Sequence, residues 1–270
     1  MNYLKNIFDF YINSSTHVAL AIASFTVLTF IDLKIKIDYH LISFVFAASV
    51  TAYNFVKYAS IAGFRDVKPT MRLKVILVYS FLIFLYLIYS LFFLNFTTLL
   101  VGFVLVLLTL LYTLPLLPGF HNLRDLGGLK IFIIAIVWTV CTVLLPVAAS
   151  DASFTLSPQL IAYFVIRFLW VLILMIPFEI RDLKDDAMHL NTIPQLIGVR
   201  GAKLTGFFFI TISFVLFHFF HPDFKRLPFL LMSALSTVLL FFSTEKRSLY
   251  YTSFLVEAVP ILWLLNYFIF

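Results

Sequence analysis

Nine runs of about twenty predominantly apolar residues follow one another along this chain of 270 residues. Each is long enough, at about 1.5 Å per residue, to cross the ~30 Å hydrocarbon core of a bilayer as an α-helix. They cover 16–32, 39–62, 73–93, 96–116, 129–149, 158–180, 201–220, 227–243 and 249–270. Charged residues make up only 12% of the chain and hydrophobic ones 63%, against about 25% charged in soluble domains. The sequence therefore predicts an all-α integral membrane protein, a nine-helix transmembrane bundle. Connections are short, with no linker, low-complexity segment or fixed-period repeat, so residues 1–270 read as a single transmembrane domain. No cleavable signal peptide is evident, since residues 1–15 carry Lys5 and Asp9 and lead into a full-length span.

Several chemistries have no support. The chain has no GxGxxG, P-loop or HExxH motif and no Cys/His metal spacing. Cys141 is the only cysteine, so an intrachain disulfide is impossible. His17, His40, His218 and His221 fall near span ends, where an interfacial role is expected.

Charge orients the bundle. With nine spans, fourteen Lys and Arg collect on one side and four on the other, with Arg167 inside a span. The positive-inside rule makes the richer side cytoplasmic, which puts the N-terminus inside and the C-terminus outside. The expected setting is a bacterial-type inner membrane. Anchoring to anionic headgroups accounts for the net charge of +6 without nucleic acid. Loops 62–73, 117–129 and 181–200 share the cytoplasmic side and hold most of the polar functional groups, including Arg65, Asp66, Lys68, Arg124, Asp125 and Lys130.

Four of the thirteen acidic residues crowd into one stretch there, Glu179-Ile180-Arg181-Asp182-Leu183-Lys184-Asp185-Asp186. If the helix runs on through it, Asp186, Glu179 and Asp185 lie at about +40°, +60° and −60° from Asp182, all on one face. Gathered carboxylates suit a hard cation such as Mg²⁺, which in turn suits phosphates. A solvated helix end with Arg181 and Lys184 as ion-pair partners fits the same residues.

The stretch continues as Asn191-Thr192-Ile193-Pro194-Gln195-Leu196-Ile197-Gly198. Together they resemble the second aspartate-rich motif of the UbiA superfamily of intramembrane prenyltransferases, roughly R-D-x-x-x-D followed by T-L-P-x-x-x-G. Asp182 and Asp186 match the two aspartates, and Thr192, Pro194 and Gly198 match the tail. Leu111-Tyr112-Thr113-Leu114-Pro115 resembles the end of the family's fourth helix, and Leu129-Lys130 with Trp138 the start of its fifth. The resemblance implies a helical bundle around a lateral, lipid-open cavity. It also implies Mg²⁺ bound to the diphosphate of a polyprenyl donor, and transfer of the isoprenoid chain to a lipophilic or aromatic acceptor.

The first motif departs from the family pattern. Its second helix typically ends N-D-x-x-D-x-x-x-D, whereas this chain has Asn54-Phe55-Val56-Lys57-Tyr58-Ala59-Ser60-Ile61. Asn54 matches, but Phe55 and Tyr58 stand at two aspartate positions. Lys57, at i+3 from Asn54, either replaces a metal ion as the diphosphate's positive partner or pairs with the acidic cluster and ends the chemistry. The expected catalytic set is Asp182, Asp186 and Asn54, and the expected Mg²⁺ ligands are Asp182, Asp186 and Asp185. Lys57, Lys130, Arg124 and Tyr112 are the expected substrate-binding residues, although Arg124 also suits a topogenic role and Tyr112 an interfacial one. A non-catalytic protein that binds an isoprenoid lipid or supports a membrane complex is the alternative. Arg167 is expected to be structural. Glu257, ~13 Å into the last span, is open between function and a structural bond.

Overall fold

The structure, a computed structural model, describes residues 2–63, 70–114, 123, 128–150, 156–185, 190–221 and 224–269. All secondary structure among them is helical. The helices are α1 (Asn2–Asn13), α2 (Thr16–Asp32), α3 (Tyr39–Gly63), α4 (Met71–Ser90), α5 (Phe96–Thr113), α6 (Lys130–Ala149), α7 (Pro158–Asp182), α8 (Ile193–Phe220), α9 (Arg226–Phe241) and α10 (Tyr251–Ile269). Each predicted run coincides with one of α2 to α10. Seven helices among the described residues are long and apolar enough to cross a membrane, and an eighth span follows if α1 and α2, bent by 54°, count as one. At 16 residues, α9 is apolar but short. This is the architecture of a multi-pass membrane protein.

Helix starts follow the local chemistry. Asn95 accepts from Thr98 N at 2.8 Å, Ser157 accepts from Leu160 N at 3.1 Å ahead of Pro158, and Thr192 forms a capping box with Gln195. Each uses a backbone N–H that has no partner inside the helix. Helix breaks follow proline, which lacks an N–H and strands the carbonyl four residues back. In α6, Pro146 frees the Thr142 carbonyl, the helix relaxes into a π segment over Val140–Leu144, and Thr29 Oγ1 donates to that carbonyl at 2.6 Å. The last run, expected as one continuous helix, is interrupted for the same reason. A π segment, Tyr251–Val256, meets a turn at Glu257 and Ala258 before Pro260.

Helix α7 forms the axis of the bundle, largely buried against α6, α8 and α9. Trp170 on α7 meets Trp263 of α10 edge-on, with centroids 4.6 Å apart and planes at 65°. Helices α8 and α9 approach closely at Gly206, where a Cβ would lie 2.4 Å from Leu240 Cδ2. Arg167 lies near the middle of α7 with a structural set of partners. Its Nη2 donates to Tyr163 Oη at 2.7 Å and to Thr29 Oγ1 at 3.3 Å, and its guanidinium lies 4.0 Å from the Phe25 ring centroid. Tyr163 in turn donates to Asp32 at 2.9 Å.

Two of the four histidines near span ends are buried within the protein. His17, 2% exposed, bonds Tyr11 Oη through Nδ1 at 2.7 Å and the Phe254 carbonyl through Nε2 at 2.9 Å. His221, 4% exposed, stacks on Phe224. Ring packing, and a bend between α1 and α2 that brings Tyr11 over His17, hold them inside the protein.

Candidate active site

The ends of α3 and α7 meet the start of α10 and the α1–α2 corner at one end of the bundle. There the candidate residues collect.

Asn54 on α3 is 4% exposed and all its amide groups are engaged. Oδ1 accepts from Ser15 Oγ at 2.7 Å, and Nδ2 donates to the Ser14 carbonyl at 3.0 Å and to Ser80 Oγ at 2.7 Å. It laces the α1–α2 corner to α3 and α4. One turn on, Lys57 Nζ donates to the carbonyl of Asn13 at 3.2 Å and to its Oδ1 at 3.3 Å. Tyr58 Oη reaches the same carbonyl at 2.8 Å. Cationic donors favour a helix C-terminus, and Asn13 ends α1. Lys57 also lies in the electrostatic field of Glu257. A closed Lys57–Asp182 ion pair is absent, since each residue has another partner.

Asp182 ends α7 and is held by its neighbour. Arg181 Nε bonds Oδ1 at 2.6 Å and Nη2 bonds Oδ2 at 2.7 Å, a bidentate charge-assisted pair. Arg181 Nη1 donates to Thr252 Oγ1 on α10, and its guanidinium also acts electrostatically on Glu257. Arg181 thus bridges the end of α7 to the π segment of α10. Nothing in the residue pattern signals Thr252 as its anchor.

The helix does not continue through the acidic stretch. It ends at Asp182, and Asp185 N bonds the Asp182 carbonyl at 2.9 Å in the following turn. Among the described residues, Glu179, Asp182 and Asp185 therefore do not share the face expected on a continuous helix. Glu179, 3% exposed, points elsewhere and caps α8, accepting from Ile193 N at 3.1 Å. Asp185 is exposed, and Lys184 pairs with Glu245 at 3.2 Å. Asp186 and Arg124 lie outside the described residues, as do Arg65, Asp66, Lys68 and Asp125. Among the described residues no three His, Cys, Asp or Glu side chains are grouped to hold a metal ion. The donor chemistry of Asp182 and Asp185 is still that of a hard cation's ligands. Asp182, with its bidentate guanidinium partner, is 29% exposed.

The motif tail has a local reason for each residue. Thr192 caps α8, Pro194 sits in its first turn, and Gly198 adopts φ 72°, ψ 167° inside it, a conformation only glycine reaches without strain. Gly128 N donates to the Leu190 carbonyl at 2.7 Å, tying the start of α6 to this loop. Lys130 begins α6, half-buried. Tyr112, near the end of α5, is buried at 8% exposure and interacts electrostatically with Tyr53.

A cavity of about 680 Å³ opens beside this cluster. Helix α4 packs on α3, and α5 on α6, and the space flanked by all four is lined by Phe44, Phe55, Leu87, Phe103, Trp138 and other apolar side chains. Phe55, at a lost aspartate position, belongs to this wall, and so does Tyr53. Tyr53 also lies within the field of Glu257 and directly precedes Asn54 at the cluster.

No curated protein matches the chain. The apo structure of a UbiA homologue from Aeropyrum pernix K1 superposes with a TM-score of 0.63 at 19% identity, over 94% of this chain and 96% of that one, and so shares its fold. The UbiA prenyltransferase family pattern matches residues 67–253 and begins downstream of the altered first motif at 54–61. The chain belongs to the UbiA prenyltransferase family, as a divergent member.

Proposed function

We propose that this protein moves an isoprenoid chain from a polyprenyl diphosphate to a lipophilic or aromatic acceptor within the membrane. The observation that carries the reading is the meeting of an apolar cavity of about 680 Å³ with a charged cluster at the end of α3 and α7. An allylic diphosphate has that same division, an apolar tail and a polyanionic head.

Lys57 and Arg181 are the cations that would take phosphate oxygens from the α3 and α7 sides. Lys57 takes the place left by the missing aspartate-bound metal and acts as a point charge, Arg181 as a fork. Arg181 must turn from Asp182 to do so. Asp182, Asp186 and Asp185 would hold Mg²⁺, which when bound stabilises the leaving diphosphate. Asn54 positions the end of α3 through its bonds to Ser14, Ser15 and Ser80. Lys130 at the start of α6 and Arg124, a few residues before it in the chain, add positive charge, and Tyr112 supports Tyr53. The apolar walls keep water from an allylic cation, and aromatic faces stabilise it. The excess of Lys and Arg on this side supports a cytoplasmic face.

The test is Mg²⁺-dependent release of diphosphate by the purified protein from geranyl and longer prenyl diphosphates. Release that Asp182→Asn abolishes is expected. No release at any chain length, with Asp182→Asn folded and indistinguishable from wild type, overturns the reading. One observation favours the non-catalytic alternative, that both altered first-motif positions have other work. Phe55 lines the cavity and Tyr58 bonds Asn13. On that reading the cavity binds an isoprenoid lipid without turnover, and Lys57→Asp brings no gain in metal affinity.

A further inference from the structure

The cavity wall is apolar almost throughout, so its few polar atoms decide which ligand it prefers. Tyr53 carries the most telling of them. Its hydroxyl oxygen accepts from Trp138 Nε1 at 2.7 Å. An indole N–H is a donor only, so this bond occupies a lone pair of the oxygen and leaves the phenolic proton to be given elsewhere. Among the described residues that proton meets no acceptor. Nor can the pair easily turn aside. Trp138 is 2% exposed, and its ring meets Tyr53 edge-on, centroids 6.4 Å apart and planes at 74°. A second hydroxyl on the same wall, Thr51 Oγ1, is buried without a partner among the described residues. Two polar groups with unused hydrogen-bonding capacity therefore face a space that is otherwise hydrocarbon.

We propose that the cavity takes a lipophilic ligand bearing one hydrogen-bond-accepting oxygen, a carbonyl or hydroxyl, and that Tyr53 selects it by donating its phenolic proton to that oxygen. The Trp138 bond fixes the direction of the hydroxyl, which makes Trp138 a positioning residue. Tyr53 stands where the apolar space meets the charged end of the bundle, so the oxygen-bearing end of the ligand lies toward α3 and α7 and its apolar body toward α4 and α5. A hydrocarbon of equal size leaves the phenolic proton unpaired in a dry site and is bound less well. This inference rests on the proposed transfer, with the cavity that takes the prenyl tail also admitting the lipophilic acceptor beside it, and it concerns binding alone.

The experiment uses the full chain in lipid nanodiscs, without Mg²⁺ or any diphosphate. Farnesol and farnesene, an alcohol and a hydrocarbon of equal carbon count, are titrated against intrinsic tryptophan emission and corrected for partition into empty discs. Wild type is expected to bind farnesol about five- to tenfold more tightly, the worth of one neutral hydrogen bond. Tyr53→Phe brings that ratio close to one, because farnesol loses its donor and farnesene no longer strands a phenolic proton. Tyr53→Phe leaves the Trp138 N–H unpaired, so the double variant Tyr53→Phe with Trp138→Phe removes both ends of the wall bond and is expected to lose the preference equally, read by the change in melting temperature. A preference that survives in either variant, no preference in wild type, or no binding of either probe overturns the assignment. Diphosphate release is measured separately, so failure of the catalytic reading leaves this result standing, and failure here leaves catalysis standing.

Discussion

Arg181 grips both carboxylate oxygens of Asp182, at 2.6 and 2.7 Å, while its third nitrogen reaches Thr252 on α10. A cation arriving at Asp182 must compete with that guanidinium, and once it has displaced it, Arg181 is free to meet the phosphates that accompany the cation. Metal and substrate are then coupled through one side chain. Two substitutions separate the roles. Asp182→Asn is expected to lower Mg²⁺-dependent diphosphate release by about a hundredfold or more, the scale of losing a charged group that acts on the leaving oxygens. Arg181→Met is expected to raise KM for the prenyl diphosphate about tenfold while lowering the Mg²⁺ concentration needed for half-maximal rate. Equal Mg²⁺ requirements in wild type and Arg181→Met would dismiss the competition.

Asn54 is expected to act through stability. Asn54→Ala strips partners from Ser15, Ser80 and the Ser14 carbonyl in a buried place, which costs about 1–3 kcal/mol. At about 2–4 °C per kcal/mol for a chain of this size, its melting temperature falls by several degrees. Diphosphate release measured well below that temperature should be largely kept. Lost activity at an unchanged melting temperature would instead put Asn54 on the substrate.

The sequence carried the helices because apolar length is a strong signal, and the tail from Thr192 to Gly198 because each residue there answers a local backbone need. It did not carry the acidic face. That geometry assumed a continuous helix through Asp186, and the helix ends at Asp182, where Asp185 turns back onto the Asp182 carbonyl. Glu179 looked like one of four site acids, yet it caps a helix that begins fourteen residues later. Tertiary bonds of this kind, like those of Asn54 to Ser80 or Arg181 to Thr252, join residues far apart in the chain and leave no periodic trace. The α1 helix was hidden for another reason. Its residues 2–13 mix polar and apolar side chains too evenly to read as a span, and they fold back on α10 through Phe8, whose ring lies 5.0 Å from that of Phe254.

Lys57 offers a test between the two functional readings. On the catalytic reading Lys57→Met raises KM for the prenyl diphosphate about tenfold with a smaller change in kcat, because a point charge on the substrate is lost. Lys57→Asp restores an acid on the face of the original motif. A Mg²⁺-dependent rise in its melting temperature beyond that of wild type supports a working metal site between α3 and α7. No rise, together with no diphosphate release from wild type, supports the lipid-binding alternative.

Gly206 tests the packing that holds α8 against α9. A Cβ there would sit 2.4 Å from Leu240 Cδ2, and Leu240 is fully buried, so its side chain must shift against packed neighbours. Gly206→Val is expected to lose about 1–3 kcal/mol by overpacking. Leu240→Ala in the same chain makes room and should recover part of that loss, so the two changes together cost less than their sum. Strict additivity of the two shifts in melting temperature would show that the helices separate rather than clash.

His221 gives the fold a pH dependence of definite sign. It lies just past α8, 4% exposed, its ring stacked 4.4 Å from Phe224 and edge-on to Tyr163. Burial disfavours the imidazolium and lowers its pKa below the ordinary 6.5, only partly offset by a hydrogen bond to the Gln159 backbone. The unfolded chain then binds a proton more readily than the folded one. Stability from this residue is full above about pH 6.5 and declines as pH falls below it. The melting temperature of wild type should drop between pH 7.5 and pH 5. His221→Gln, which keeps a polar side chain of similar reach without a titrating ring, should show a flatter profile over the same interval. An identical pH profile in the two proteins would place the titrating group elsewhere.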